Sequence, residues 1–262
     1  MQKLIAYCLK HYFGEEAGED GAERLLSHVV AGGARLAASY MAAGFVHGVL
    51  NSDNIAITTE SFDYGPWRFT PKWEPGFTAA YFDETGLYAF ARQAEAIHWD
   101  IAQLAVSLRL IEEDADPLIK IIESFGPLYQ QAYIGHMLKR LGVQSRDRKT
   151  DIELLTVVEK ALRESDITID RFFFDWRSGQ RRGPSPADPI YEQDAFAPVT
   201  DAMAGYAAEA PRHEYWSDTE PCSMHIEEVE SLWSHIDERD DWDPLYQKVD
   251  AIRRMGEAHR EK

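Results

Sequence analysis

Cysteine is nearly absent from this chain: of 262 residues only Cys8 and Cys222 carry a thiol. Two cysteines cannot build a disulfide framework, and their spacing fits no metal motif. A reducing cytoplasm is the expected compartment. Long apolar runs are missing too, and none approaches the length that crosses a bilayer as a helix. The opening residues, Met1-Gln2-Lys3-Leu4-Ile5, lack the charged, apolar and small-residue succession of a signal peptide. Positive charge is scarce: 27 Lys and Arg stand against 45 Asp and Glu, a net charge of −18. Nucleic acid and anionic membrane are therefore disfavoured as main partners, because both need a basic face. The excess acid reads as a solvated surface. There is no internal repeat.

What the chain does have is enough apolar material for a proper core, 45% of residues with 12% aromatic. Its length suits one large domain or two small ones. The most informative stretch runs from residue 44 to 66, GFVHGVLNSDNIAITTESFDYGP. Asp53-Asn54 opens a short alternating run, Ile55-Ala56-Ile57-Thr58. A turn-like Thr59-Glu60-Ser61 follows, then a second apolar step ending in Asp63-Tyr64-Gly65. The pattern predicts strand, tight turn and strand, with oxygen ligands at the open end. Such a hairpin folds Asn54 back beside Asp63. Magnesium takes carboxylate and amide oxygens and keeps waters for phosphate oxygens to replace. Protein kinases use a related layout, with a catalytic loop HRDxxxxN followed by DFG. Here the interval from His47 to Asn54 is kept, but Val49 occupies the place of the kinase base. Asp53, beside the metal Asn, offers a carboxylate that can take a proton from an incoming hydroxyl.

His47-Gly48-Val49-Leu50-Asn51-Ser52-Asp53-Asn54 and Asp63-Tyr64-Gly65-Pro66 resemble the selenoprotein O family, also called YdiU, whose usual form is HGVMNTDN followed by DYGP. The resemblance continues through Asp83, Gly86, Tyr88, Gln93, Trp99 and Leu104-Ala105, and more weakly from about Leu4 to Phe174. It implies a pseudokinase fold that transfers AMP from ATP to protein hydroxyls. It assigns Asp53 as the proton acceptor, Asn54 and Asp63 as ligands of Mg2+ or Mn2+, and Asp63 also to the bound ATP. By analogy with kinases His47 takes a structural role, holding the loop through backbone hydrogen bonds. Asn51 is a candidate for orienting the loop, while Asp83 and Tyr88 read as packing residues.

Periodicity fills in the rest. Residues 4–13 read as helical, and 22–43 as a long helix weakened at Gly32-Gly33 and capped by Gly44. Residues 66–80 are an ordered loop pinned by aromatic rings. Helices follow over 95–113 and from Pro117, with a break at Gly126-Pro127. Thr150-Asp151-Ile152-Glu153 reads as a capping box. Residues 167–174 fit a helix or a strand. Gly179–Pro189 is a linker, in which Arg181-Arg182 is solvated charge. An acidic segment, 227–243, precedes a charged helical end.

The expected fold is mainly α: a protein-kinase-like C-lobe over 1–178 with a short β-hairpin at the metal site, the N-lobe absent, and a divergent extension over 179–262. Three departures from the family bear on function. Nothing upstream of Gly44 offers a Gly-rich phosphate cradle or a Lys–Glu pair; Gly86-Leu87-Tyr88 lacks the family's Arg; and Cys222 is not at the family's redox position. Holding a triphosphate depends on charge neutralisation and positioning. The expectation is weak or no adenylyl transfer by the chain alone. An apolar face near 44–66 would then await a separate N-lobe chain or a second copy. The alternatives are a non-catalytic lobe that binds a partner or a metal–nucleotide, and ordinary phosphoryl transfer, which Val49 opposes.

Overall fold

The computed structural model describes residues 1–260, which form a mainly α-helical protein. The chain divides into two compact units. One comprises Met1–Trp67 and Pro75–Tyr133; the other comprises Arg68–Glu74 with the chain from Ile134 on. Among the described residues no helix is long and apolar enough to cross a membrane.

The first unit is built on α2, Gly21–Ala43. Before it come α1, Gln2–Cys8, and a π-helical turn, Leu9–Phe13, which together realise the helix expected there. Leu25, Leu26, Val29, Val30, Ala34 and Ala37 line the buried side of α2. Against them pack α3, Gln93–Leu108, and α4, Asp116–Glu123. Gly32 and Gly33 sit in the middle of α2 for steric reasons. A Cβ at residue 32 would run into the Thr59 side chain, and one at residue 33 into Ile101 of α3. Gly44 ends α2 as predicted, in the left-handed conformation (φ 71°), with its N–H on Met41 O.

The expected hairpin is present in its shortest form, a single antiparallel bridge between Ile55 and Ser61. Thr59 (φ 67°) and Asp63 (φ 61°) adopt left-handed backbone, which interrupts any longer extended strand. The regular strands, Phe45–Val46 and Arg68–Phe69, have two residues each. The break near Gly126-Pro127 comes just earlier: α4 stops at Glu123, and α5, Phe125–Leu141, takes Pro127 in its first turn, where no N–H partner is lost.

In the second unit α6, Arg148–Glu164, buries Leu154, Leu155, Val158 and Leu162. Its cap lies three residues before the predicted one. Asp147 is the N-cap, accepting Thr150 N–H at 3.0 Å and the Thr150 hydroxyl at 2.6 Å. The threonine hydroxyl is thus spent as a donor, and the better acceptor caps the helix. The ambiguous stretch resolves as α7, Ile169–Asp175, capped by Thr168. Short helices α8, Asp188–Tyr191, and α9, Ala197–Met203, follow, and α9 packs on α6. Buried Arg177 donates to Lys139 O and Arg140 O, both at 2.9 Å, and so ties the last turn of α5 to the chain that follows α7. The acidic segment forms α10, Ile226–Arg239, and the chain continues as α11, Asp243–Ala258. Ala258 closes a small cluster with Phe174, Tyr215 and Trp216.

Candidate functional site

The site is the loop that α2 delivers after Gly44, and its geometry follows from a few hydrogen bonds. His47 is fully buried, and its backbone N–H donates to Gln93 Oε1 at 3.0 Å. Its ring ties the loop to the far side of the hairpin: Nε2–H donates to Phe62 O at 2.9 Å, and Nδ1 accepts Val49 N–H at 3.4 Å. Burial holds the imidazole pKa below its ordinary value, only partly offset by the Phe62 carbonyl and the charge of Asp63. A neutral ring with both nitrogens engaged is a strut, the role expected for it.

Asn54 is buried and Asp53, beside it, is exposed. Asn54 N–H donates to Asn51 O at 2.9 Å, and its Nδ2 donates to Val49 O at 2.9 Å. Phe62 N–H donates to Asn54 O at 3.0 Å. Asn54 thus lies across the hairpin from Phe62, and exposed Asp63 follows immediately. Below the turn, the Tyr40 hydroxyl hydrogen-bonds to Ser61, whose oxygen lies 2.8 Å from the Tyr64 hydroxyl. Burial pushes the Tyr40 phenol up to about 12, so it stays protonated.

A divalent ion needs oxygens that the protein has not already used. Asn54 Oδ1 and the carboxylates of Asp53 and Asp63 enter no internal side-chain hydrogen bond among the described residues. The Asn54 amide is fixed through its nitrogen, which leaves its oxygen for a ligand. Hard oxygen donors of this kind suit magnesium or manganese with coordinated water. A purely protein-made cage is not formed: among the described residues no group of three or more His, Cys, Asp or Glu is arranged to hold an ion.

Two neighbours that read as packing residues hold the loop instead. The Tyr88 hydroxyl donates to Asn51 Oδ1. Asp83 accepts Leu87 N–H at 2.7 Å and Tyr88 N–H at 2.8 Å, which fixes the Tyr88 backbone. Gly48 (φ 87°) has no room for a side chain, since a Cβ there would lie 2.8 Å from Pro66 Cγ and 3.1 Å from Ala79 Cβ. The sequence reading missed Asp100. It lies on the buried stripe of α3, where a carboxylate is unexpected, and that anomaly is the one signal that marks it.

A sequence model of the family described as protein adenylyltransferase SelO matches residues 1–253. The protein nucleotidyltransferase YdiU of Trichormus variabilis is 30% identical over 98% of this chain and 56% of its own length. That of Gloeobacter violaceus is 32% identical over 97% of this chain and 55% of its own length. A YdiU of Bacillus anthracis is 35% identical over 61% of this chain and 35% of its own length. The chain spans about half the length of the curated relatives it matches over nearly its whole extent.

Proposed function

The chain belongs to the protein adenylyltransferase SelO family, and we propose that it carries the catalytic loop for moving AMP from ATP to Ser, Thr or Tyr hydroxyls of proteins. The observation that carries this reading is the set of three oxygen-bearing side chains, Asp53, Asn54 and Asp63, left unspent on a loop that His47 locks in place. Exposed Asp53 is open to a hydroxyl on another macromolecule. It takes the hydroxyl proton while that oxygen bonds to the α-phosphorus and pyrophosphate leaves. Asn54 and Asp63 hold magnesium or manganese, which neutralises phosphate charge when bound. Asp63 thereby also holds the nucleotide.

Residues 1–178 act in this reading as a kinase-like C-lobe, with 179–262 as an extension. Residues 1–262 by themselves transfer AMP weakly in this reading, because the three oxygen-bearing side chains bring no positive charge to the phosphates; a covering partner, as an N-lobe or a second copy, would supply it. Phe62 and Tyr64, 48% and 47% exposed beside the loop, support a covering partner. The test supplies ATP labelled on the α- or the γ-phosphate with manganese or magnesium. Label passing to protein from the α-position only, at a low rate, is the expected result. Transfer from γ would make the protein a kinase; transfer from neither would leave a lobe that binds without turnover. Either outcome overturns the proposal.

A further inference from the structure

Helix α3 presents two polar side chains on its buried face, seven residues and two turns apart. The first, Gln93, is fully satisfied: it accepts His47 N–H at 3.0 Å and donates to Phe45 O at 2.8 Å. The second, Asp100, is 6% exposed, and both of its oxygens are buried without a hydrogen-bond partner. A buried carboxyl in that state is costly, and native proteins tolerate it only where it has a use. Asp100 lines a cavity of about 280 Å³ together with Ser52, Ile55, Ala56 and Ile57 of the loop. The loop's backbone bonds run from Asn54 N to Asn51 O, from Ala56 N to Glu60 O and from Phe62 N to Asn54 O. The N–H groups of Ser52 and Asp53 enter none of these. Two acceptors without donors thus line the same cavity as Ser52, and among the described residues the N–H groups of Ser52 and Asp53 have no backbone acceptor.

The geometry points to Asp100 as the positioning residue of the loop that carries Asp53: its carboxyl seats the backbone of Ser52 and Asp53 from below, as Gln93 seats His47. A small settling of the loop into the cavity makes the contact. Asp53 is then aimed by the floor of the site as well as by the hairpin. The proposal rests on the reading of Asp53 as proton acceptor, and its structural part is measurable without activity.

Asp100→Asn keeps one acceptor, and Asp100→Leu keeps the volume but no acceptor. Amide hydrogen exchange is followed in both and in the unaltered protein, and the kinetics of AMP transfer are compared. The Ser52 and Asp53 amides are expected to be protected in the unaltered chain. Exchange there should be at least tenfold faster in the Leu variant and within threefold in the Asn variant. In transfer, kcat should fall at least tenfold in the Leu variant with KM for ATP within twofold, and the Asn variant should recover most of it. Should the Leu variant lack a folded far-ultraviolet spectrum, Asp100→Ala replaces it with the same expectations. If the unaltered chain transfers no AMP, the functional reading fails by itself and exchange alone decides. Unprotected Ser52 and Asp53 amides, or an Asn variant as impaired as the Leu variant, would overturn the proposal.

Discussion

His47 Nε2 donates to the carbonyl of Phe62 at 2.9 Å, and this side-chain bond, with the backbone bond from Phe62 N–H to Asn54 O, joins the two halves of the candidate site. The His47 bond spans fifteen residues of sequence and fixes the turn between Asn54 and Asp63 at its base. Because the ring is buried and neutral, the bond needs no charge.

Removing that support should unfold the loop before the rest. His47→Ala deletes a buried ring and leaves the Phe62 carbonyl and Val49 N–H unpaired. A loss of about 2–4 kcal/mol is expected from urea unfolding. Gln93→Leu, which strands His47 N–H, should cost about 1–3 kcal/mol through the same segment. Equal midpoints for variant and unaltered protein would refute both expectations.

Gly48→Ala forces a Cβ onto Pro66 and Ala79 at a left-handed backbone. The backbone term alone is about 1–2 kcal/mol, before the clash is counted. The expected result is a clear fall in melting temperature, whereas Gly65→Ala, with open space around it, should shift it far less.

The Asp100 carboxyl gives the protein a pH signature. Burial first, and the charge of Asp53 second, push its pKa from the ordinary 3.8 up to about 7. Between these values the folded chain holds a proton that the unfolded chain has lost. Stability from this group therefore falls as pH rises from about 4 to about 7, and is flat beyond. Asp100→Asn should match the unaltered protein near pH 4 and exceed it at pH 8, by on the order of 2–4 kcal/mol in urea. An Asn variant with no gain at pH 8 would show that the carboxyl is not desolvated.

Manganese binding checks the ligand set directly. Paramagnetic titration with Mn2+ and ATP should show one site in the unaltered chain. Asp63→Ala and Asn54→Ala should each weaken it at least tenfold, and Asp53→Asn should leave it within about threefold while abolishing transfer. Such a split separates ligand from base.

The sequence conveyed what is written in local spacing. Gly44 as the end of α2 was legible because only glycine takes that conformation cheaply. The turn carrying Asn54 and Asp63 was legible from alternation and turn residues. The cap of α6 was misplaced because Thr150 and Asp147 are both good cap residues, and only their mutual hydrogen bonds decide which one is used. Local spacing marks Gln93 and Asp100 only as polar residues on the buried stripe of α3 and does not say what they touch. Their roles come from α3 lying under a loop about forty to fifty residues earlier in the chain. Long-range contacts of that kind are invisible to periodicity.

The adjacent glycines of α2 have a consequence of their own. One admits the tip of the turn at Thr59 and its neighbour admits Ile101, so a single helical step sets the height of both against the same cylinder. A bulkier residue at position 32 would lift the ligand-bearing turn off its seat, and one at 33 would push away the helix beneath it. Lesions there, more than ten residues before the first chemically active side chain, would be mistaken for defects in the chemistry itself.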